Sequence, residues 1–285
     1  MLAQGAARTN KAKCSICPHA CLLDEGQVGI CRARYAKDGE VVCGNYGRIS
    51  SFALDPIEKK PLARFFPGTY VLSFGSYGCN LRCPFCQNAS IATASADEVE
   101  WHYLTPKMLV DTALNLHDKG CIGLAFTYNE PFISYEFVRD TARLAHEKGL
   151  VNVVVSNGMI NEESLEDLLP LIDAANIDLK AWSEEAYRRL GGNLQAVKAC
   201  IEHIAQNRCH LEVTTLVVPG LSDDEEDIDE ASLWLASLNP SIPYHLTRFF
   251  PAYRMLDASP TPIAKLKRLA RIAGKHLDDV ILGNV

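Results

Sequence analysis

Cys79, Cys83 and Cys86 fall within eight residues of one another, in CNLRCPFC. Two thiolates would suggest a redox pair, and four would suggest a closed metal site. Three leave a metal centre one ligand short, and that open position is where chemistry can take place. Thiolates from one loop can hold three irons of a [4Fe–4S] cluster and leave the fourth iron to an external ligand. A structural zinc needs four protein ligands, so the competing reading is a further cysteine that closes the site.

A second group lies near the start. Cys14, Cys17, Cys21 and Cys31 supply four thiolates, with Cys43 in reserve. Zinc there would be structural and would contribute folding energy to a segment with little core of its own. A second iron–sulfur cluster would relay electrons or stabilise a module facing a partner. The spacing matches neither two zinc knuckles nor a ferredoxin-like run, and both readings stay open. Cys121, Cys200 and Cys209 stand alone and read as small apolar core residues.

The elements that must position these groups show in the texture of the chain. Residues 1–66 are rich in Cys, Gly and short polar stretches. They predict a small cysteine-rich metal-binding domain of short hairpins, ending in DPIEKKPLARFFPG as a connector. From residue 67 to 285, short apolar runs alternate with helical stretches: YVLSFGSYG, CIGLAFTYNEP, LVNVVVSNG, AANIDLKAW, CHLEVTTLVVPG and IPYHLTRFFP. That alternation predicts an α/β fold with a parallel sheet covered by helices. Six strands, most followed by a helix and most ending in a polar group, favour a partial (β/α)6 TIM-like barrel, whose C-terminal face assembles active sites. In SDDEEDID, Ser222 and Glu225 read as a capping box and the acidic run as a helix start. KLKRLARIAGK reads as the solvated face of a helix.

The 285 residues carry 28 Lys and Arg against 35 Asp and Glu, a net charge of −7. No basic field invites nucleic acid or an anionic membrane. The longest apolar runs fall short of a membrane span, and the start lacks the apolar region of a secretory leader. A cytoplasmic protein is expected, and eleven cysteines in that compartment argue for metal ligation over disulfides.

With Phe85 just before Cys86, the three-cysteine motif resembles that of the radical S-adenosylmethionine (SAM) superfamily. CSICPHACLLDEGQVGIC, DPIEKKPL, CNLRCPFCQN, TYNEP and RFFP narrow the likeness to the glycyl-radical-enzyme activating branch, which includes pyruvate formate-lyase activating enzyme, and to the related AmmeMemoRadiSam-type proteins. The resemblance implies SAM chelated to the open iron of a [4Fe–4S] cluster on Cys79, Cys83 and Cys86. Reductive cleavage would give a 5′-deoxyadenosyl radical that removes hydrogen from a protein or small-molecule substrate, with activation of a glycyl radical enzyme as one form. An electron donor such as flavodoxin or ferredoxin is implied.

By the same likeness, TYNEP stands where relatives carry a Gly-Gly-Glu-Pro type sequence, so Glu130 would accept from the methionyl amine with Asn129 beside it. Glu130 reads equally well as a helix cap. Ser156 and Asn157 would meet the ribose, Lys180 the carboxylate with Asp178 orienting it, and His245 the cofactor from the sixth strand. The alternatives are a non-catalytic iron–sulfur scaffold and an electron-transfer protein, neither of which would cleave SAM.

Overall fold

The computed structural model describes residues 11–285. The expectation that the chain opens without a secretory leader concerns residues that lie largely outside this range.

Three short pairings form the N-terminal module and its edge. β1 (Ala12–Lys13) pairs antiparallel with β2 (Leu22–Leu23), and β3 (Arg34–Lys37) with β4 (Glu40–Cys43). The β3–β4 hairpin turns at Asp38 and Gly39, both at positive φ, as a two-residue hairpin turn requires. β5 (Arg48–Ile49) pairs with β8 (His102–Tyr103). The module's own core is small, built from Ala12, Leu23 and Ala36. It is fastened to the rest of the chain by buried Arg34, whose guanidinium grips Glu136 at 2.6 and 2.7 Å and donates to the Ile133 carbonyl at 3.0 Å. A bidentate Arg–carboxylate pair fixes orientation as well as distance.

The main sheet has eight strands: β6 (Ser51–Pro56), β7 (Tyr70–Gly75), β9 (Cys121–Phe126), β10 (Val151–Ser156), β11 (Ala174–Asp178), β12 (His210–Val217), β13 (Tyr244–Arg248) and β14 (Val280–Gly283). From β7 to β14 all neighbours run parallel, and β6 is added antiparallel at the β7 edge. No hydrogen bonds join β6 to β14, so the barrel is partial. The crossovers carry α1 (Ala89–Ala92), α2 (Pro106–Asn115), α3 (Tyr135–Glu147), α4 (Glu162–Leu168), α5 (Glu184–Arg189), α6 (Leu194–Ala205), α7 (Glu225–Leu238) and α8 (Ile263–Ala273). The six expected strand–helix units are all present. β14 follows the sixth as a further parallel strand.

Strands such as VNVVVS are nearly continuous in apolar residues because the helices cover one face and the barrel interior the other. The helices carry one apolar stripe each; α3 turns Phe137, Val138, Thr141, Ala142 and Ala145 inward. Starts are set by side chains: Thr105 accepts from the Met108 amide ahead of Pro106, and Asn193 accepts from the Ala196 amide. The expected capping box on α7 is corrected here. Asp224 caps α7, accepting from the amides of Glu226 and Asp227, while Ser222 accepts from the Val218 amide and donates to the Leu216 carbonyl.

The segment read as a connector closes the bottom of the barrel. Ile57 and Leu62 pack among Val71, Ala125, Val153 and Ala174 from four successive strands. The Pro61 carbonyl accepts from Asn176, and the amides of Ala63 and Arg64 donate to Glu212 at 3.0 and 2.8 Å. Opposite this floor, the broad cavity lies at the C-terminal ends of the strands.

Candidate active site

The loop after β7 begins with a close packing contact. Gly78 has φ +86, and a Cβ there would stand 2.3 Å from the Cys31 carbonyl oxygen, so only glycine fits. Cys79, Cys83 and Cys86 follow and face a cavity of about 350 Å3, within the usual range of ligand sites. Its walls also carry Phe85, Asn129, Glu130, Ser156, Asn157, Asp178 and Lys180. Eleven of the residues expected to serve the cofactor thus divide cleanly: ten line one space and one does not.

The three thiols are free and partly shielded. Burial pushes the Cys79 thiol far above its ordinary pKa, with the Glu130 charge adding to the effect. Burial pushes Cys83 up to about 11 against the pull of nearby Lys180, and raises Cys86 in the same way. Such thiols stay protonated unless a metal claims them. Two N–H groups already point at Cys79 Sγ, from the Leu81 amide at 3.4 Å and the Asn157 side chain at 3.6 Å. Three thiols on one loop, with N–H donors around the sulfur, suit an iron–sulfur cluster with one open iron.

Glu130 is 2% exposed and fully engaged. It caps the short 3-10 turn Pro131–Ser134 through the Phe132 amide at 2.9 Å, and accepts from Ser156 Oγ and the Asn157 amide, both at 2.8 Å. The capping role is therefore realised in the protein itself, and the carboxylate also ties the end of β9 to the end of β10. Burial raises its pKa to about 7, partly offset by those hydrogen bonds. Asn129 is similarly occupied: its oxygen accepts from the Ser76 amide, and its nitrogen donates to the carbonyls of Tyr77 and Gly78. It holds the segment leading into Cys79. Tyr128 keeps φ +71, the left-handed conformation glycine would supply, although its side chain is large. The ring is held by its hydroxyl on Asp55 at 2.7 Å and by Lys60 over its face at 4.7 Å.

Asp178 and Lys180 form an ion pair of 3.0 Å at the end of β11. Burial disfavours the Lys180 charge, but Asp178 and the thiol of Cys83 outweigh it, and the pKa of the ammonium is raised. It stays a cation beside the cysteine loop. Phe85 packs under that loop against Leu190, Val218 and Phe249.

His245 is the residue the structure does not bring to the cavity. It is the second residue of β13, one layer down, and its Nε2 lies 2.5 Å from Glu212. It serves the barrel floor. Thr247, two residues further along the same strand face, lines the cavity instead, as do Thr214, Leu216, Lys59, Tyr128 and Asn284. Two-residue periodicity along β12 and β13 could have flagged Thr214 and Thr247; Lys59 and Asn284 arrive by long-range packing that leaves no local signal.

Cys14, Cys17, Cys21 and Cys31 share a separate small pocket with Ile16, Leu23, Ile30 and Ile133. Cys43 is not among them; its thiol meets Asn45 Oδ1 at 3.1 Å. Cys121, Cys200 and Cys209 are buried in the core, as expected.

Residues 74–231 match the Radical SAM superfamily. The chain is 37% identical over 278 residues to an uncharacterized protein of Methanocaldococcus jannaschii, covering 97% of this chain and 82% of that one. It is 26% identical over 165 residues to pyruvate formate-lyase 1-activating enzyme of Escherichia coli K12, covering 56% of this chain and 65% of that one, just under two thirds of that relative's length. The fold is shared with Streptococcus suis SuiB bound to the precursor peptide SuiA (TM-score 0.58, 14% identity, 73% of this chain, 47% of that chain). It is also shared with methylornithine synthase (TM-score 0.52, 16% identity, 77% of this chain, 73% of that chain). The family match, the parallel sheet and the three thiols at its mouth agree: this chain belongs to the radical SAM superfamily and is an enzyme of that class, related to the activating enzymes.

Proposed function

We propose that the chain cleaves SAM at a [4Fe–4S] cluster held by Cys79, Cys83 and Cys86 and removes a hydrogen atom from a substrate. When bound, this cofactor pair supplies the electron and the 5′-deoxyadenosyl radical that the protein's own side chains cannot. The observation that carries the reading is the convergence of three free thiols with Ser156, Asn157, Asp178 and Lys180 on one cavity.

The side chains have distinct tasks in this reading. Lys180, kept charged by Asp178, binds the methionyl carboxylate. Ser156 and Asn157, which line the cavity, meet the ribose. Glu130 and Asn129 act as positioning residues: they lock the ends of β9 and β10 and the segment before Cys79 with hydrogen bonds they already make. Phe85 fixes the base of the cysteine loop. The substrate we infer is a backbone glycine of a partner enzyme, supported by the relatives named as activating enzymes. The electron comes from a flavodoxin or ferredoxin, in the cytoplasm, where thiols stay reduced.

Replacing one ligand tests the assignment. Cys83→Ala should abolish 5′-deoxyadenosine formation while the circular dichroism of the chain is retained. Full SAM cleavage by that variant would contradict the three-thiol site.

A further inference from the structure

The turn that follows β9 is strained, and the strain is held from outside the turn. The Asn129 amide donates to the Thr127 carbonyl at 3.0 Å, across Tyr128, whose φ is +71. A three-residue turn closed in this way at positive φ is the rare, strained form of the γ-turn, and a bulky side chain adds to its cost. Such a conformation persists only where the surroundings over-determine it. Here they do so through the phenol. Its hydroxyl donates to Asp55 Oδ2 at 2.7 Å, and Asp55 also accepts from Lys59 at 3.1 Å and from Lys60 at 2.9 Å. Asp55 and Lys60 are 6% and 3% exposed, so the tyrosine is tied to a buried ion pair on β6 and the segment after it.

The same turn holds the cysteine loop at both ends. On the near side, Asn129 accepts from the Ser76 amide at 2.9 Å and donates to the Gly78 carbonyl at 3.0 Å, one residue before Cys79. On the far side, the Tyr128 carbonyl accepts from the Asn88 side chain at 2.7 Å, two residues after Cys86. The turn packs tightly on β7: a Cβ at Gly75 would stand 2.3 Å from the Thr127 carbonyl oxygen and 2.9 Å from Tyr128 Cβ. Residues 79–86 are thus strung between two hydrogen-bonded ends that converge on one tripeptide. The adjacent Glu130 ties that tripeptide to Ser156 and Asn157. The placement of the three thiols relative to the end of β10 therefore passes through Tyr128.

We propose that Tyr128 is a positioning residue: bound to Asp55, it holds the strained turn that clips both ends of the loop carrying Cys79, Cys83 and Cys86, and so sets the cluster against the SAM site. The last clause rests on the function proposed above. The hydroxyl carries the effect, not the ring, and it acts through Asn88 and Asn129.

The test uses the full-length protein, reconstituted anaerobically with iron and sulfide, as wild type, Tyr128→Phe, Asn88→Ala and the double variant. Loss of iron to a ferrous chelator is timed without SAM, and amide hydrogen exchange is followed along the chain. Tyr128→Phe keeps the ring and should release iron about tenfold faster, the loss of one hydrogen bond to a charged group. Exchange should quicken in residues 76–88 and 127–130, while β10 to β13 keep their wild-type rates. Asn88→Ala should also release iron faster, and the double variant should fall short of the product of the two single effects, because both act through one carbonyl. Iron release from Tyr128→Phe at the wild-type rate would overturn the proposal. So would effects that simply multiply, or faster exchange spread evenly over the barrel, which marks a general loss of stability. If Tyr128→Phe fails to fold, Asn88→Ala at the exposed end of the loop decides alone, and wild-type release from it would overturn the clip. With SAM added, part of the Tyr128→Phe paramagnetic resonance signal should stay unshifted; a shift as complete as in wild type would remove the SAM site from the proposal. Failure of the function proposed above reads differently: wild type with its iron in place and no response to SAM.

Discussion

At the scale of single residues, charge and hydrogen-bond saturation decide which side chains are free to meet a ligand. Lys180 is a half-buried cation paired with Asp178, and it lines the cavity. Lys180→Met should therefore weaken SAM binding about tenfold, the loss of one charge-assisted hydrogen bond, as read by equilibrium binding to the reconstituted enzyme. Glu212 is a carboxylate of another kind. It is buried, yet His210, His245 and two backbone amides hold its pKa down to about 2 despite the cost of burial. A carboxylate depressed in the folded state stabilises the protein fully above its unfolded pKa near 4.5. That contribution is lost as pH falls through about 2. It amounts to about 3 kcal/mol, so thermal unfolding of wild type should drop more steeply between pH 5 and pH 3 than that of Glu212→Gln. Equal slopes would remove Glu212 from the account. The same residue shows why His245 misleads in the sequence: a histidine near a strand end looks like a ligand, and its partner lies 33 residues away on the neighbouring strand. The three cysteines of the loop after β7 needed no such knowledge, because their spacing alone suggests an incomplete metal site and the structure brings them to one cavity.

Elements carry the next level of the argument. Strand–helix alternation announced the parallel sheet because both faces of each strand are covered, and apolar runs without alternation follow from that burial. β14 escaped because four residues near the end of the chain show no period. The DPIEKKPL segment escaped for a different reason: its prolines look like a linker, while its role as barrel floor depends on Leu62 meeting residues from four strands. Caps are local but ambiguous where several acceptors are adjacent, which is how Ser222 was mistaken for the residue that starts α7. Asp224→Ala should cost about 1 kcal/mol in denaturant unfolding, with Ser222→Ala acting through its own two bonds to residues 216–218 and not through the helix. Gly78→Ala would drive a Cβ into the Cys31 carbonyl at positive φ. A loss of more than about 1 kcal/mol is expected, with faster amide exchange in residues 11–43 than in the barrel.

For the whole molecule, the organisation is a barrel closed below by its own chain and open above, with a cysteine module clasping the loop at the opening. Among the described residues, no helix is long and apolar enough to cross a membrane. The module has too small a core to order itself, so its position depends on the Arg34–Glu136 clamp and on residues 78–80. The central claim is that the thiols of Cys79, Cys83 and Cys86 leave an iron open for SAM. The measurement that tests it most directly is electron paramagnetic resonance of the anaerobically reconstituted, reduced protein with and without SAM, with 5′-deoxyadenosine assayed in the same samples. The account predicts a cluster signal that shifts on adding SAM, accompanied by deoxyadenosine. A fully loaded protein whose signal ignores SAM and which forms no deoxyadenosine would contradict it and leave an iron–sulfur scaffold or electron carrier in its place.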